Sequence, residues 1–319
     1  MGIIFGGVFL YLTLSNKPID KIITSLSHAN TGWMIISVVL LMLVFLLRSL
    51  RWKILIENAG GKARTGNVIY AMVMGYFVNS FTPKVGEVIR CTSLKKTNEV
   101  PVPLSLGTVV SERIYDLVVL VAGVLIILLI EINRLGDLFA NTFSGLVQNI
   151  NDHITFYLII FIGFIISLII LFWILKKTGI YDKIKKFTSD IICTVKMTFK
   201  IKKYKIFILY TFLIWFTLGM LNYVFLLALP ETNGFSIYFA FVVLFIGGIG
   251  WAIPSPGGIG TTHFFILQLF ILFRQPEEAG VAYGVLTNGV TFVMTIVFGL
   301  MALGFSRTMF RKKITIDNQ

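Results

Sequence analysis

Long apolar runs separated by short polar stretches dominate the chain, and within each run the apolar residues are continuous. The runs lie near 33–53, 66–82, 104–130, 155–175, 206–229, 236–253, 256–273 and 280–305. A helix needs roughly 20 apolar residues to cross about 30 Å of hydrocarbon, and several runs reach or approach that length. Barrel strands alternate with period two, which these runs do not. The pattern predicts an all-α polytopic membrane protein with about eight membrane segments. One more run, 2–14, is too short to span comfortably. It lacks the basic start and small-residue cleavage site of a signal peptide, and reads as a first helix whose cytoplasmic beginning is short or missing.

Composition narrows the class further. Hydrophobic residues make up 56% of the 319 positions and charged residues only 13%, too few to cover a water-soluble surface. The net charge of +13 would suggest nucleic acid in a soluble protein. Here the membrane accounts for it, because basic residues collect in cytoplasmic loops and beside anionic headgroups. No nucleic-acid partner is expected. Cys91 and Cys193 lie far apart and the three histidines do not cluster, so neither a disulfide framework, a metal site nor a cofactor is expected.

Loop charges orient the runs. Between 176 and 205 lie ten lysines against Asp182 and Asp190, which places this segment in the cytoplasm. Its apolar positions Ile180, Ile184, Phe187, Ile191, Val195 and Phe199 recur every three or four residues. That stripe suggests a helix lying on the inner leaflet; the plainer reading is a solvated connector. Residues 54–65, flanked by Arg48, Arg51, Lys53, Lys62 and Arg64, are also inside, as is the tail with Arg307, Arg311, Lys312 and Lys313. The connection 131–154, with Glu131, Asp137 and Asp152 against Arg134, is outside, as is the turn at Pro230-Glu231. Arg48, Arg51 and Trp52 end a run and read as snorkelling cations with an aromatic anchor.

Two runs are interrupted in a way that charge counting makes informative. Only 66–82 lies between two cytoplasmic loops, and the stretch after it, NSFTPKVGEVIR (79–90), inserts a proline, a glycine and charges. A re-entrant hairpin over 66–97, turning at 82–86, satisfies both ends. The stretch WAIPSPGGIGTTH (251–263) breaks a second hairpin, 236–273, that enters from outside. Irregular backbone at membrane depth survives only where protein packs it or a wet cavity solvates it. The chain thus divides into a first helix and loop (1–32), a first repeat (33–130), a connecting span (131–175), the basic amphipathic segment (176–205), a second repeat (206–305) and a tail (306–319). The repeats have opposite orientation, an inverted repeat with broken helices, as in alternating-access transporters.

Each helix restarting after a break directs free amides and partial positive charge inward, which suits a phosphate. Pro83, Pro254 and Pro256 mark the breaks, and Gly86, Gly257, Gly258 and Gly260 allow close backbone approach to a ligand. Lys84 and Arg90 add positive charge for the anion. Glu87 and Arg90, at i and i+3, also suit mutual neutralisation. Glu112, Arg113 and Asp116 lie inside an apolar run, where ionised groups must be paired. They read either as a proton or counter-ion relay with Glu87, or as a tie to Arg90 or Lys84. His263 is a secondary candidate, with ordinary hydrogen-bonded structure as the plainer reading. GGIGTTH lacks the lysine and preceding strand of a nucleotide loop. Gly280-xxx-Gly284 reads as close helix packing.

The set R-S-L-R-W (48–52), N-S-F-T-P-K-V-G-E-V-I-R (79–90), S-E-R-I-Y-D (111–116) and P-S-P-G-G-I-G (254–260), in that order, resembles the lysylphosphatidylglycerol synthase transmembrane region family. The resemblance covers nearly the whole chain. It implies a bacterial or archaeal cytoplasmic-membrane protein whose characterised relatives move aminoacylated phosphatidylglycerol across the bilayer. Pro83, Gly86, Glu87, Arg90, Glu112, Arg113 and Asp116 then carry over as core motif residues, with Pro254, Pro256, Gly257, Gly258 and Gly260 from the second break. Many relatives have a glutamate where this chain has His263. The bifunctional synthases append a soluble aminoacyl-transferase domain, whereas this sequence stops at Gln319, so lysyl transfer is not expected.

The leading expectation is a lipid flippase, passive or ion-coupled, with a membrane phospholipid as substrate and anionic lipids at the cytoplasmic face. The alternative is a non-transporting scaffold for a glycolipid or isoprenoid-phosphate enzyme. A lipid-modifying enzyme and a second copy of the chain complete the expected partners. An intramembrane transferase, with Glu87 or Asp116 as base, lacks any visible activated-donor site.

Overall fold

The computed structural model describes residues 11, 13, 19–82, 84–132, 180–198, 200–252 and 255–316. Among these the regular elements are helical: α1 (Ile19–Ser27), α2 (Thr31–Asn58), α3 (Thr65–Phe81), α4 (Val85–Asn98), α5 (Val102–Ile130), α6 (Ile180–Thr198), α7 (Tyr204–Ala228), α8 (Ile237–Ala252), α9 (Thr261–Leu272) and α10 (Glu277–Ile316). A 3-10 turn, Pro256–Gly258, lies between α8 and α9. The expected span 155–175, most of the short run 2–14 and of the loop 131–154, and Pro83 and Pro254 lie outside the described residues.

Among the described residues, four helices are long and apolar enough to cross a membrane: α2, α5, α7 and, over Glu277–Gly304, α10. Local chemistry sets their ends. Asn30 caps α2 by accepting from the Gly32 and Trp33 amides at 2.9 and 3.4 Å. Pro101 and Pro103 open α5, where missing amide hydrogens do no harm. The helices α3, α4, α8 and α9 have only 17, 14, 16 and 12 residues. At 1.5 Å per residue they are about 18–26 Å long. They form two broken pairs. Between α3 and α4 the chain turns through Lys84 at φ 68°; between α8 and α9 it turns through Gly257, Gly258 and Gly260 at φ 57°, 76° and 85°.

Apolar side chains gain little by leaving lipid for protein, so close packing and polar ties must hold these helices together. The first pair shows the packing. A Cβ on Gly86 would run into the Gly75 carbonyl oxygen, and one on Gly75 into the Arg90 side chain. Around this contact Trp52, Ile56, Val68, Met72, Cys91 and Leu94 form a buried core. The other core, largely from α7 to α10, is aromatic: Phe239 contacts Phe235, Phe270 and Phe273 at ring separations of 4.9–5.4 Å.

The C-terminal part of the basic segment packs on protein. Helix α6 lies against α5, where Gly107 leaves room for Thr194. Thr198 donates to the Ser111 hydroxyl at 2.6 Å, and the Tyr115 hydroxyl donates to the Thr198 carbonyl at 3.1 Å. Thr194 and Thr198 are buried and Ile191 and Val195 half-buried, so the part of the stripe around Ile191 and Val195 faces protein. Phe187, Ile192 and Met197 remain exposed.

Candidate functional site

The charged residues of α5 sit on different faces of the helix. Glu112 is 0% exposed and receives Arg90 Nη2 at 2.8 Å and Arg51 Nη2 at 3.4 Å. One turn on, Asp116 pairs with Arg48 Nη1 at 3.3 Å. Its Oδ1 also lies 2.7 Å from Arg51 Nη1, an ion-pair contact too oblique for a hydrogen bond. Arg113 is 44% exposed and donates to Glu87 Oε1 on α4 at 2.8 Å. Arg51 Nη1 also donates to the Thr211 hydroxyl of α7 at 3.4 Å. The Arg90 guanidinium lies 4.1 Å over the Trp52 ring, and the Trp52 indole donates to Thr108 Oγ1 at 3.0 Å. Four arginines and three carboxylates thereby join α2, α4, α5 and α7, leaving one net positive charge. Removing one partner from such a buried pair costs about 3–5 kcal/mol, because a charge is left without compensation.

This network corrects the reading of Arg48, Arg51 and Trp52 as a snorkelling helix end. Arg51 and Trp52 are completely buried, and Arg48 nearly so. The physical reason is the cost of an arginine in an apolar run: a carboxylate inside the protein offsets it better than a reach toward headgroups. A signal was present, since Arg48 and Arg51 at i and i+3 match Glu112 and Asp116 at i and i+4. Glu112 meets Arg90, the contact the tie reading names, whereas Asp116 meets Arg48 and Arg51.

At the first break the predicted residues separate into buried and reachable groups. Arg90 is 2% exposed and engaged with Glu112, so its fork is turned away from any ligand. Glu87 pairs with Arg113 and accepts from Asn79 Nδ2 at 3.1 Å, in place of the expected partner Arg90. The Gly86 amide is already bound to Asn79 Oδ1 at 2.8 Å, which overturns its reading as a free donor for a ligand. Asn79, unremarked in the sequence, is therefore the clasp of this hairpin. Lys84 remains exposed, with no ion pair or side-chain hydrogen bond among the described residues. Exposed Phe81, Val85 and Val88 surround it in sequence. Its left-handed backbone is one that an L-residue adopts at a cost of about 1–2 kcal/mol.

The second break is polar without ionised residues. The Gly260 amide donates to His263 Nδ1 at 3.3 Å, and the Gly258 amide to the Ser255 carbonyl at 3.3 Å. Two of the three glycine amides expected to approach a ligand are thus engaged within the turn, and His263 accepts one of these bonds, as in its plainer reading. Pro256 opens the 3-10 turn. Gly280 and Gly284 pack on Phe270 and His263, the close packing that their spacing suggested. The two breaks meet: a Cβ on Gly257 would lie 4.0 Å from the Ser80 carbonyl oxygen and 3.6 Å from the Phe292 ring. Phe81 at the end of α3 contacts Phe292 of α10 edge-on, with ring centroids 6.1 Å apart.

The chain is similar to known membrane proteins. The family model described as lysylphosphatidylglycerol synthase TM region matches residues 1–299. The UPF0104 membrane protein MJ1595 of Methanocaldococcus jannaschii is 25% identical over 332 aligned residues, covering 94% of this chain and 93% of its own length. A second protein of that organism, UPF0104 membrane protein MJ1078, is 26% identical over 70% of this chain and 91% of its own. No solved structure matches.

Proposed function

The chain belongs to the lysylphosphatidylglycerol synthase TM region family, and from that premise we propose that it moves an anionic or aminoacylated phospholipid, or a lipid-linked phosphate, between leaflets. In this reading α2, the α3–α4 hairpin and α5 form one repeat, and α7, the α8–α9 hairpin and α10 form the other with opposite orientation. The hairpins enter a cytoplasmic membrane from its two sides, the C-terminus is cytoplasmic, and the chain transports without transferring an aminoacyl group.

One observation carries the reading: Lys84 offers an exposed ammonium, unpaired among the described residues, at the tip of a broken helix, among exposed apolar side chains. A cation among lipid-facing apolar residues is expensive unless something anionic meets it. A lipid supplies both requirements, a phosphate for Lys84 and tails for the surface around Phe81, Val85 and Val88. Arg113 is the second reachable cation, and exchanging Glu87 for phosphate brings it onto the headgroup. The net positive charge of the network behind it favours the same sign of ligand. Glu112, Asp116, Arg48, Arg51 and Arg90 act as the frame that fixes α4 against α5. Gly257 and Gly258 let the opposing hairpin shift past Ser80 and Phe81.

The test is a leaflet-resolved lipid assay in proteoliposomes with the wild type, Lys84→Arg and Lys84→Glu. A charge-assisted hydrogen bond contributes about 1.5–3 kcal/mol, so Lys84→Glu should slow translocation at least about tenfold while Lys84→Arg retains most of it. Equal rates for all three proteins would remove Lys84 from the mechanism, and no protein-dependent movement of any anionic lipid would remove the transport reading itself.

A further inference from the structure

A groove at the start of α3 has no part in lipid capture at Lys84, which lies beyond the other end of that 17-residue helix, about 26 Å along its axis. Its volume of about 720 Å³ falls in the range of ligand pockets. The α2–α3 loop lines it with Gly60, Gly61, Lys62 and Arg64, the end of α2 with Glu57 and the end of α4 with Asn98. Side-chain bonds hold these walls together. Asn67 of α3 donates from Nδ2 to Asn98 Oδ1 at 2.9 Å, and Lys53 of α2 donates from Nζ to Thr65 Oγ1 at 2.9 Å.

The side-chain acceptors along this groove are engaged and the donors are not. Glu57 lies between two lysines, 3.6 Å from Lys53 Nζ at one oxygen and 3.2 Å from Lys203 Nζ at the other. Asn98 Oδ1 also accepts from Thr97 Oγ1 at 3.1 Å. By contrast, Lys62 and Arg64 are exposed and have no ion pair or side-chain hydrogen bond among the described residues. The Asn98 carboxamide N–H groups, and the amides of Thr65 and Gly66 in the uncapped first turn of α3, likewise meet no acceptor there. Basic residues in a cytoplasmic loop follow from membrane topology alone. Topology does not require two unpaired cations to share a groove with a neutralised carboxylate and free donors. Like charges brought together cost energy, which a shared anion offsets.

We propose that this groove binds a phosphomonoester, held by Lys62, Arg64 and Asn98. Such a group carries about 1.5–2 negative charges at pH 7, which matches the two free cations, whereas a phosphodiester carries one. Its terminal oxygens accept from the Lys62 ammonium, the Arg64 fork and the Asn98 carboxamide. The start of α3 adds partial positive charge on the same side. The same chemistry is offered by a lipid whose headgroup is a terminal phosphate and by a soluble phosphate. The site stands apart from Lys84 and exists whether or not the protein moves lipid.

Binding is read without any transport measurement. Purified full-length protein in detergent is unfolded by heat in inorganic phosphate or chloride at equal ionic strength, and in mixed micelles with phosphatidic acid, phosphatidylglycerol or neither. Inorganic phosphate, phosphatidic acid or both should raise the midpoint by about 2 °C, the size expected for a ligand at roughly ten times its Kd. A shift with phosphatidic acid alone makes the ligand a lipid, and one with inorganic phosphate alone makes it soluble. The double variant Lys62→Glu with Arg64→Glu should abolish the shift. Lys196→Glu with Lys205→Glu, the same charge change outside the groove, should retain it, as should Lys84→Glu. No shift with either phosphate compound would overturn the proposal, and so would a shift undiminished in the Lys62 and Arg64 double variant but lost in Lys84→Glu. Equal shifts with phosphatidic acid and phosphatidylglycerol would overturn the preference for a monoester. If the reversed variant does not fold, Lys62→Gln with Arg64→Gln takes its place and should weaken binding about tenfold, and unchanged affinity there refutes the site.

Discussion

The two broken hairpins meet at Gly257 and Ser80, yet they are built from opposite chemistry. The α3–α4 hairpin is clasped by Asn79 and riveted to its neighbours by ion pairs from Glu87 and Arg90. The α8–α9 hairpin has glycines at positive φ, a hydroxyl cluster and an aromatic core. Ion pairs in a low-dielectric setting are strong and steeply dependent on geometry, so the first hairpin resists displacement. Aromatic pairs contribute about 0.5–1.5 kcal/mol each and tolerate sliding, and glycine backbone rotates freely, so the second can shift. In the proposed transport reading, this difference would make the first hairpin the fixed jaw and the second the moving one.

The sharpest challenge to this contrast is Glu112→Leu. It strands Arg90 with no opposite carboxylate, leaves Arg51 only Asp116, and should cost at least about 3–5 kcal/mol, read as loss of folded protein in detergent unfolding. Glu112→Gln, which keeps an acceptor of the same shape, should fall between the two. A milder outcome for Glu112→Leu would mean that the frame is not ionic. Next in size are the glycines. Gly86→Ala forces α3 and α4 apart and should cost about 1–3 kcal/mol by overpacking. Gly258→Ala should cost about 1–2 kcal/mol through its left-handed backbone. The two should differ in kind: Gly86→Ala lowers stability and function together, while Gly258→Ala slows translocation more than its stability loss explains. Matching losses in both assays would erase the distinction between jaws.

Sequence patterns revealed much of the frame and little of the wiring. The breaks were legible because Pro83, Gly86 and the 254–260 stretch interrupt runs that otherwise look membrane-grade. The long helices α2, α5, α7 and α10 were legible from their length. Arg51 meeting Glu112 was not, since 61 residues separate them and no local rule pairs them. Arg48, Arg51 and Trp52 near a run's end resemble an interfacial anchor until the neighbouring helix is placed. Asn79 and Asn288 were missed for a related reason: each is an ordinary polar residue in a helix, and only the partner across the contact, Gly86 or Thr262, gives it a role.

Smaller effects test the clasp and the tip. Asn79→Ala removes the acceptor for the Gly86 amide and should cost about 1 kcal/mol, a typical cap loss, in the same unfolding assay. Asn79→Asp keeps the acceptor but sets a second carboxylate beside Glu87 Oε2 and should cost at least as much as Asn79→Ala. Lys84→Gly should leave stability within about 1 kcal/mol of wild type, because relief of the left-handed strain is offset by the larger entropy of an unfolded glycine. In proteoliposomes the same variant should translocate lipid slowly, which separates Lys84 as a ligand-binding cation from Lys84 as a structural residue.

Contact between the breaks underlies both halves of the comparison, and spin labels read it directly. Phe81→Cys and Phe292→Cys, alone and combined in a background where Cys91 and Cys193 are replaced, can be labelled in a native-like bilayer. The account predicts strong dipolar broadening in the double variant. A double-variant spectrum equal to the sum of the two single ones would place the hairpin tips far apart and contradict it.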